Sequence, residues 1–206
     1  MDKITILVVD DHAIARVGLV SLLETEPGLE VVGQAENGKE AIALTKKLKP
    51  SVIIMDLVMP QVDGVAATRE IHANFPDAKI LILTTFSDSD DIAHALEAGA
   101  IGALMKNTSI SDLISAIRAV AKGKRYVAPE IDQMIRESPP VPELTDRQRE
   151  ILHSVTRGLT NHDIAQQLGI TIDCVKDHVN VILTKIGAAN RSEAVAIALR
   201  KHLLKI

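Results

Sequence analysis

The sequence has few of the residues that build redox, thiolate or base-stacking sites. Its 206 residues include no tryptophan, one tyrosine and two phenylalanines, too few for a protein that stacks single-stranded bases on aromatic rings. Cys174 is the only cysteine, which excludes an intrachain disulfide and a cysteine-rich zinc site. No apolar run approaches the roughly 18 residues of a membrane span, and the N-terminal run ends in acids too early for a signal peptide. We therefore expect a cytoplasmic protein with no membrane partner.

Charge is distributed unevenly along the chain. The net charge is −4, but residues 144–206 carry nine basic and six acidic side chains, whereas residues 1–143 carry 14 and 21. This asymmetry indicates two domains, the second with a role near nucleic acid. Prolines are concentrated in 137–143, where they would prevent a helix and form a linker. We predict a domain over 1–122, a linker over 123–143 and a second domain over 144–206.

Short aliphatic runs alternate with amphipathic stretches in the first domain. Helices are predicted at about 13–25, 37–48, 64–74, 88–98 and 109–122, with a short one near Ile131–Arg136. Buried strands are predicted at Ile4–Val9, Glu30–Gln34, Val52–Met55, Lys79–Leu83 and Ile101–Met105. This alternation predicts an α/β fold with a five-stranded, doubly wound parallel sheet of the flavodoxin-like type.

Acidic residues follow two strands that the topology would make neighbours. The first strand ends in Asp10 and Asp11, and the third runs directly into Asp56. Ligand crevices of open parallel sheets lie at the carboxyl ends of the strands, so the three carboxylates should meet and repel one another. Mg²⁺ would relieve that repulsion and keep water positions for a phosphoryl group. Any single aspartate has an ordinary alternative explanation, because aspartate is common where a strand enters a loop.

Two further strand ends contribute polar groups to the same crevice. The fourth strand ends at Thr84, and the fifth is followed by Lys106. A hydroxyl and an ammonium group suit the oxygens of a phosphoryl group. No glycine-rich phosphate loop and no general base for turnover accompany them. We interpret the pocket as one that carries a phosphoryl group on Asp56, and not as an enzyme. An enzyme of flavodoxin-like or phosphatase type is the alternative, and no cofactor loop or second nucleophile supports it.

The C-terminal segment is predicted to form four helices. Thr145, Thr160, Thr171 and Asn190 stand where N-caps are expected, and Gly158, Gly169 and Gly187 where helices end. Two helices joined by a glycine turn are typical of a helix-turn-helix, whose second helix reads the major groove. Residues on that helix that should face away from the core are Asp173, Lys176, Asp177, Asn180 and Thr184. A solvated face on a small protein-binding bundle is the alternative that this pattern leaves open.

The first domain resembles a two-component receiver domain. The matching motifs are Val8-Val9-Asp10-Asp11-His12, Met55-Asp56 to Asp63-Gly64, Thr84, and Ala98-Gly99 to Lys106. The resemblance implies that Asp56 receives a phosphoryl group from a sensor histidine kinase. It further implies that Asp10, Asp11, Asp56 and the backbone carbonyl of Val58 hold Mg²⁺. Thr84 and Lys106 would then bind the phosphoryl oxygens and trigger the switch. The chain carries Ala103 where relatives usually have an aromatic residue.

The second domain is similar to LuxR-type DNA-binding domains. The matching segments are Leu144 to Leu152, Gly158 to Asn161, Ile164-Ala165, Val175 to Val179 and Asn190 to Ala194. Receiver, linker and this domain in that order are the architecture of NarL/FixJ response regulators. The resemblance implies a transcription regulator that dimerises when phosphorylated, binds promoter DNA and has RNA polymerase as an expected further partner. It implies DNA contacts by Thr171, Lys176, Asp177, His178, Asn180 and Lys185. It implies dimer contacts by Asn190, Ala194, Ile197 and Ala198.

Overall fold

The chain folds into two compact units. The computed structural model describes residues 3–85, 89–137, 140, 142, 144–201 and 203. The units are Met1–Pro140 and Val141–Ile206, and each has its own hydrophobic core. Within the described ranges, no helix is both long and apolar enough to cross a membrane.

The first unit is a parallel sheet with helices between its strands. The strands are β1 (Ile4–Val9), β2 (Leu29–Ala35), β3 (Val52–Met55), β4 (Ile80–Thr84), β5 (Gly102–Met105) and β6 (Tyr126–Val127). The helices are α1 (Ala13–Glu24), α2 (Gly38–Leu48), α3 (Gly64–Asn74), α4 (Ser89–Glu97), α5 (Ile110–Ala121) and α6 (Pro129–Glu137). The strand order is β2-β1-β3-β4-β5-β6, and every neighbouring pair is parallel. The predicted doubly wound α/β class is confirmed.

The central strands have unbroken aliphatic sequences because they are buried on both faces. All residues of β3, β4 and β5 are buried, because helices cover both faces of a parallel sheet. Strand β1 lies between β2 and β3, with Val9 level with Met55. From β1 the chain continues to β2 on one side of it and then to β3 on the other side. This change of direction opens a crevice at the carboxyl ends of β1 and β3.

The sheet extends one strand beyond the five predicted. Tyr126 and Val127 continue it beside β5, in register with Gly102 and Ala103. Helix α6 follows, and its Ile131 is fully buried in the core of the first unit. The predicted linker over 123–143 is therefore wrong for 126–137, because a two-residue strand is too short to show a hydrophobic period. Residues 138, 139, 141 and 143 of that linker lie outside the described residues.

The described residues of the second unit form four helices whose starts agree with the predicted caps. They are α7 (Asp146–Thr156), α8 (Asn161–Leu168), α9 (Ile172–Ile186) and α10 (Arg191–Arg200). The side chains of Thr145, Thr160, Thr171 and Asn190 each accept a hydrogen bond from the backbone three residues on. Gly169 and Gly187 end α8 and α9 in the left-handed conformation, which glycine adopts without strain. Helices α8 and α9 are the predicted helix-turn-helix pair.

Candidate functional site

Three aspartates meet at the carboxyl ends of β1 and β3. The Asp56 backbone N–H donates to the Val9 carbonyl at 2.9 Å, which fixes the two strand ends side by side. Asp10 and Asp56 are each only 3% exposed. One ligand atom from each of Asp10, Asp11, His12 and Asp56 lies within 4.8 Å of the others. The carboxylates that sequence reasoning expected in one crevice are thus brought together.

Lys106 reaches this cluster from the end of β5. Its Nζ donates to Asp56 Oδ2 and forms an ion pair with Asp10 Oδ2, each at 2.7 Å. The Lys106 backbone N–H donates to the Thr84 carbonyl at 2.6 Å, which connects the ends of β4 and β5. One ammonium against three carboxylates leaves a charge of −2 at the crevice, which a single divalent cation would neutralise.

Burial and the ion pairs act in opposite directions on the ionisation of this cluster. Burial raises the pKa of Asp56 above its ordinary value, and the Lys106 hydrogen bond and charge offset only part of that rise. Burial lowers the pKa of Lys106, but the hydrogen bonds and charges of Asp10 and Asp56 outweigh burial, so the pKa of Lys106 lies above its ordinary value. Lys106 therefore remains charged, while Asp56 is held in a site that disfavours its negative charge.

Two buried oxygens at the crevice are left without hydrogen bonds. Asp11 Oδ1 and Thr84 Oγ1 have no hydrogen-bond partner within the described part of the chain. His12 Nδ1 lies 2.8 Å from Asp11 Oδ1, at ion-pair distance but without hydrogen-bond geometry. Buried polar atoms normally have partners, so these oxygens mark where a ligand fits. An all-oxygen carboxylate set with a residual charge of −2 fits Mg²⁺.

The loop after Asp56 holds the carboxylate in one orientation. Asp56 Oδ1 accepts a hydrogen bond from the Leu57 backbone N–H at 2.7 Å. Gly64 lies directly against the Asp56 backbone, so close that a Cβ at position 64 would be 2.1 Å from the Asp56 carbonyl oxygen. Val58, two residues after Asp56, is 61% exposed. Both oxygens of Asp56 are therefore positioned, Oδ1 by Leu57 and Oδ2 by Lys106.

Sequence reasoning missed Arg16, which supports the acidic loop from α1. Arg16 is only 8% exposed, and its guanidinium donates to the Asp10 carbonyl and to Glu36 Oε1, each at 2.6 Å. A buried arginine between two strand ends fixes the peptide that connects Asp10 and Asp11. The sequence signal was an arginine on the core face of α1, where periodicity calls for an apolar residue.

The second unit presents one polar face of α9 to solvent. Its exposed residues recur every three or four positions and are Ile172, Asp173, Lys176, Asp177, Asn180, Val181 and Thr184. Val175, Ile182 and Ile186 lie on the opposite, buried face. Lys176 Nζ forms an ion pair with Asp173 at 2.9 Å. The residues predicted to face bases, Lys176, Asp177 and Asn180, share this exposed face.

Three other residues predicted to contact DNA lie at the start of α9 or along it. Thr171 is the N-cap, and its hydroxyl accepts from the Cys174 backbone N–H. Lys185 is half-buried and donates to Gln148 Oε1 of α7 at 3.1 Å. His178 is also half-buried. Thr171 and Lys185 thus also stabilise the second unit, and the predicted DNA contacts of Thr171, His178 and Lys185 stay predictions.

Three of the four residues predicted to contact a second copy through α10 are buried within the second unit. Ala194, Ile197 and Ala198 are 1%, 7% and 1% exposed and belong to the core of the second unit. Asn190 caps the helix through a hydrogen bond from the Glu193 backbone N–H. Leu199 of α10 is a large apolar residue that is 61% exposed. The sequence could not decide between the two sides of α10, because both carry aliphatic residues.

Comparison with known proteins identifies both units. Residues 6–118 match the response regulator receiver domain family, and residues 142–198 match the luxR family of bacterial regulatory proteins. The chain is a two-component response regulator of the LuxR type. This response regulator is 40% identical to the transcriptional regulatory protein LiaR of Bacillus subtilis strain 168 over 209 residues, covering 98% of this chain and 99% of LiaR.

Solved structures show the same two-unit architecture. The response regulator ChrA of a heme-sensing two-component system is 36% identical, with a TM-score of 0.60, and the match covers 99% of this chain and 100% of that one. A complex of the response regulator RcsB with DNA is 25% identical, with a TM-score of 0.67, and covers 97% and 99%. The present response regulator therefore combines a receiver with a DNA-binding domain and belongs to a family of transcription regulators.

Proposed function

We propose that Asp56 accepts a phosphoryl group from a sensor histidine kinase. The observation that carries this proposal is the fixed, buried Asp56 carboxylate, which Lys106 and Leu57 hold by 2.7 Å hydrogen bonds. A carboxylate oxygen of Asp56 attacks the phosphorus of phosphohistidine, the P–N bond breaks, and the imidazole leaves with the electron pair and takes up a proton. Because burial raises the pKa of Asp56 and so disfavours its negative charge, its carboxylate is a group that gains from reaction with an electrophilic phosphorus to form an acyl phosphate.

Each remaining residue of the crevice has a separate part in this proposal. Asp10, Asp11, Asp56 and the Val58 carbonyl would hold Mg²⁺, which supplies positive charge for the phosphoryl oxygens. Lys106 would donate to the same oxygens once Asp56 is phosphorylated, because its Nζ already lies against Asp56 Oδ2. The buried Thr84 hydroxyl has no partner within the described residues and would donate to a phosphoryl oxygen. That new hydrogen bond would draw Thr84 inward and start the switch.

Chemical phosphorylation tests the acceptor assignment. Acetyl phosphate with Mg²⁺ should add one phosphoryl group to the full-length protein, detected by intact-protein mass spectrometry. Asp56→Asn should remain unmodified, and Asp77→Asn, which changes an exposed aspartate of the same unit, should be labelled normally. Normal labelling of Asp56→Asn would show that another residue is the acceptor.

We propose further that the exposed face of α9 reads the major groove of promoter DNA. Lys176 would donate to guanine O6 and N7, and Asp177 would accept from the cytosine N4 amine. Asp173 competes with DNA for Lys176, since the two side chains are paired at 2.9 Å. The half-site should therefore be rich in G·C pairs, and binding to unrelated DNA should be weak.

A matched pair of aspartate variants tests this assignment. Asp177→Ala should bind random DNA more tightly but lose about 1–3 kcal/mol of discrimination at one C·G pair. Asp173→Ala frees Lys176 and should strengthen binding without that loss. A uniform gain on all sequences in Asp177→Ala would show that Asp177 only repels phosphates. If no variant binds DNA in a salt titration that starts at low salt, a protein-binding role for the second unit becomes the better explanation.

Phosphorylation is proposed to act through a homodimer in the cytoplasm. The exposed side of α10 around Leu199 supports this, because a 61% exposed leucine gains from burial against a second copy. Asn190 stands at the start of the same helix and would border that interface. Contact with RNA polymerase stays a prediction. Analytical ultracentrifugation of the phosphorylated protein and of Leu199→Ser measures the dimer directly.

A further inference from the structure

His12 stands at the mouth of the acidic crevice with its imidazole directed at the carboxylates. Its Nδ1 lies 2.8 Å from Asp11 Oδ1 and 3.7 Å from Asp10 Oδ1. It shares the group of four potential ligand atoms that lie within 4.8 Å of one another. The proposed phosphoryl chemistry uses the three aspartates and leaves His12 without a part.

We propose that His12 supplies a nitrogen ligand to the cation site and thereby strengthens its binding of transition-metal ions such as Mn²⁺ relative to Mg²⁺. This inference rests on the cation site of the proposed function and defines which cations that site accepts. It concerns the His12 imidazole, which would bind beside Asp11.

Spacing supports ligation by both side chains. Ligands about 2.1 Å from an ion, at right angles to one another, lie about 3 Å apart. The 2.8 Å between His12 Nδ1 and Asp11 Oδ1 is close to that spacing. Because Asp11 Oδ1 has no hydrogen bond within the described residues, an ion between the two atoms would provide the partner that it lacks.

His12 can bind an ion without weakening the fold. It is the N-cap residue of α1, yet its side chain makes no capping hydrogen bond. Its backbone N–H donates to Asp10 Oδ1 at 2.9 Å, which places the residue independently of the ring. The side chain is 73% exposed. A substitution at position 12 therefore removes the imidazole while the backbone contact with Asp10 stays.

Ligand chemistry gives the imidazole a selective effect. Mg²⁺ prefers oxygen ligands and keeps several waters, so a water replaces His12 at little cost. Imidazole suits the transition metals, and affinity for a nitrogen-containing site rises from Mn²⁺ toward Co²⁺ and Ni²⁺. Loss of His12 should therefore weaken transition-metal binding and leave Mg²⁺ binding nearly unchanged.

The test compares the two cations on the full-length protein without a phosphoryl donor. Isothermal titration with MgCl₂ and separately with MnCl₂, at mildly alkaline pH, gives both dissociation constants for wild type, His12→Ala and His12→Asn. We expect Mn²⁺ binding to weaken about tenfold in both variants, and Mg²⁺ binding to change by less than about twofold. His162→Ala is the matched control, because His162 is also exposed and also adjoins an aspartate, Asp163, at 3.9 Å.

Electron spin echo spectroscopy of bound Mn²⁺ provides a direct readout of the ligand atom. Wild type and His162→Ala should show modulation from an imidazole ¹⁴N, and His12→Ala should not. Equal weakening of Mg²⁺ and Mn²⁺, or nitrogen modulation that persists in His12→Ala, would overturn the role of His12. If Asp11→Ala binds Mg²⁺ as wild type does, the cation site of the proposed function fails as well, and the two failures are distinguished.

Discussion

Replacing Lys106 with methionine removes the positive charge that lies between Asp10 and Asp56. Methionine keeps most of the length of the lysine stem. The carboxylates that remain are 4% and 5% exposed in their side chains, so water cannot readily replace the ammonium group. We expect the first unit to be destabilised, because two buried negative charges lose their common partner.

The size of the effect follows from two short contacts. Lys106 Nζ lies 2.7 Å from an oxygen of each carboxylate, and a hydrogen bond to a charged group contributes about 1.5–3 kcal/mol. The variant is spared the cost of burying the ammonium, and Asp56 can take up a proton. We therefore expect a net loss of about 3 kcal/mol at neutral pH, the lower end of the usual cost of breaking a buried pair.

The loss should depend on pH in a defined direction. Removing Lys106 removes the hydrogen bond and charge that lower the pKa of Asp56, so that pKa rises further above its ordinary value. A carboxyl group whose pKa is raised in the folded state stabilises the fold most at pH values below its pKa in the unfolded state. That contribution is lost as the pH rises through the pKa of the folded state. The difference from wild type should therefore be smallest at acidic pH and grow toward neutral pH.

The single tyrosine makes the measurement specific to one unit. Tyr126 is the only tyrosine, no tryptophan is present, and Tyr126 lies in β6 of the first unit. Tyrosine fluorescence during urea unfolding of the full chain thus reports the first unit alone. Lys39→Met, which replaces an exposed lysine of α2, is the matched control and should change the free energy of unfolding little. Mg²⁺ should stabilise Lys106→Met more than wild type, because it supplies the missing positive charge. A loss no larger than that of Lys39→Met would refute the argument.

Three further tests, two of them with a control variant, have expected outcomes. Gly64→Ala should destabilise the first unit by about 2–3 kcal/mol, because its Cβ would lie 2.1 Å from a backbone oxygen. Gly18→Ala, where the Cβ would enter open space on α1, should stabilise the unit by about 0.5–1 kcal/mol. Urea unfolding measures both changes. Arg16→Met should weaken Mg²⁺ binding severalfold by calorimetry, while Glu36→Gln, which keeps the bond to Asp10, should not. Thr160→Ala should lower the stability of the helical unit by about 1 kcal/mol, measured by circular dichroism. In wild type, the hydrogen bonds from Thr160 lower the pKa of Asp163, so the stability of this cap should be lost as pH falls below the ordinary value for aspartate.

Much of the fold could be predicted because most of its helices and strands have a recognisable local sequence pattern. Strand β3 is an uninterrupted aliphatic run, and α8 begins with a capping box at Thr160 and Asp163. Parallel topology then dictates that the ends of β1 and β3 meet, which brought Asp10 and Asp56 together in the prediction as in the structure. These inferences need only hydrophobic period, capping chemistry and the handedness of crossovers.

The remaining features depend on tertiary packing. Strand β6 has two residues and is stabilised by pairing with β5, so its sequence has no hydrophobic periodicity from which a strand could be predicted. Arg16 is buried because the Asp10 carbonyl and Glu36 satisfy its guanidinium, which are contacts between residues distant in sequence. The two sides of α10 are both aliphatic, and only packing against α7 and α9 decides that Ile197 is buried and Leu199 exposed.

The central claim is that phosphorylation of Asp56 controls DNA binding by this response regulator. The direct test measures binding to genomic DNA fragments selected by the phosphorylated protein, at fixed salt, before and after treatment with acetyl phosphate and Mg²⁺. Wild type should bind more tightly after treatment, and Asp56→Asn should bind with the same affinity before and after. An unchanged affinity in labelled wild type, or an equal gain in Asp56→Asn, would contradict the account.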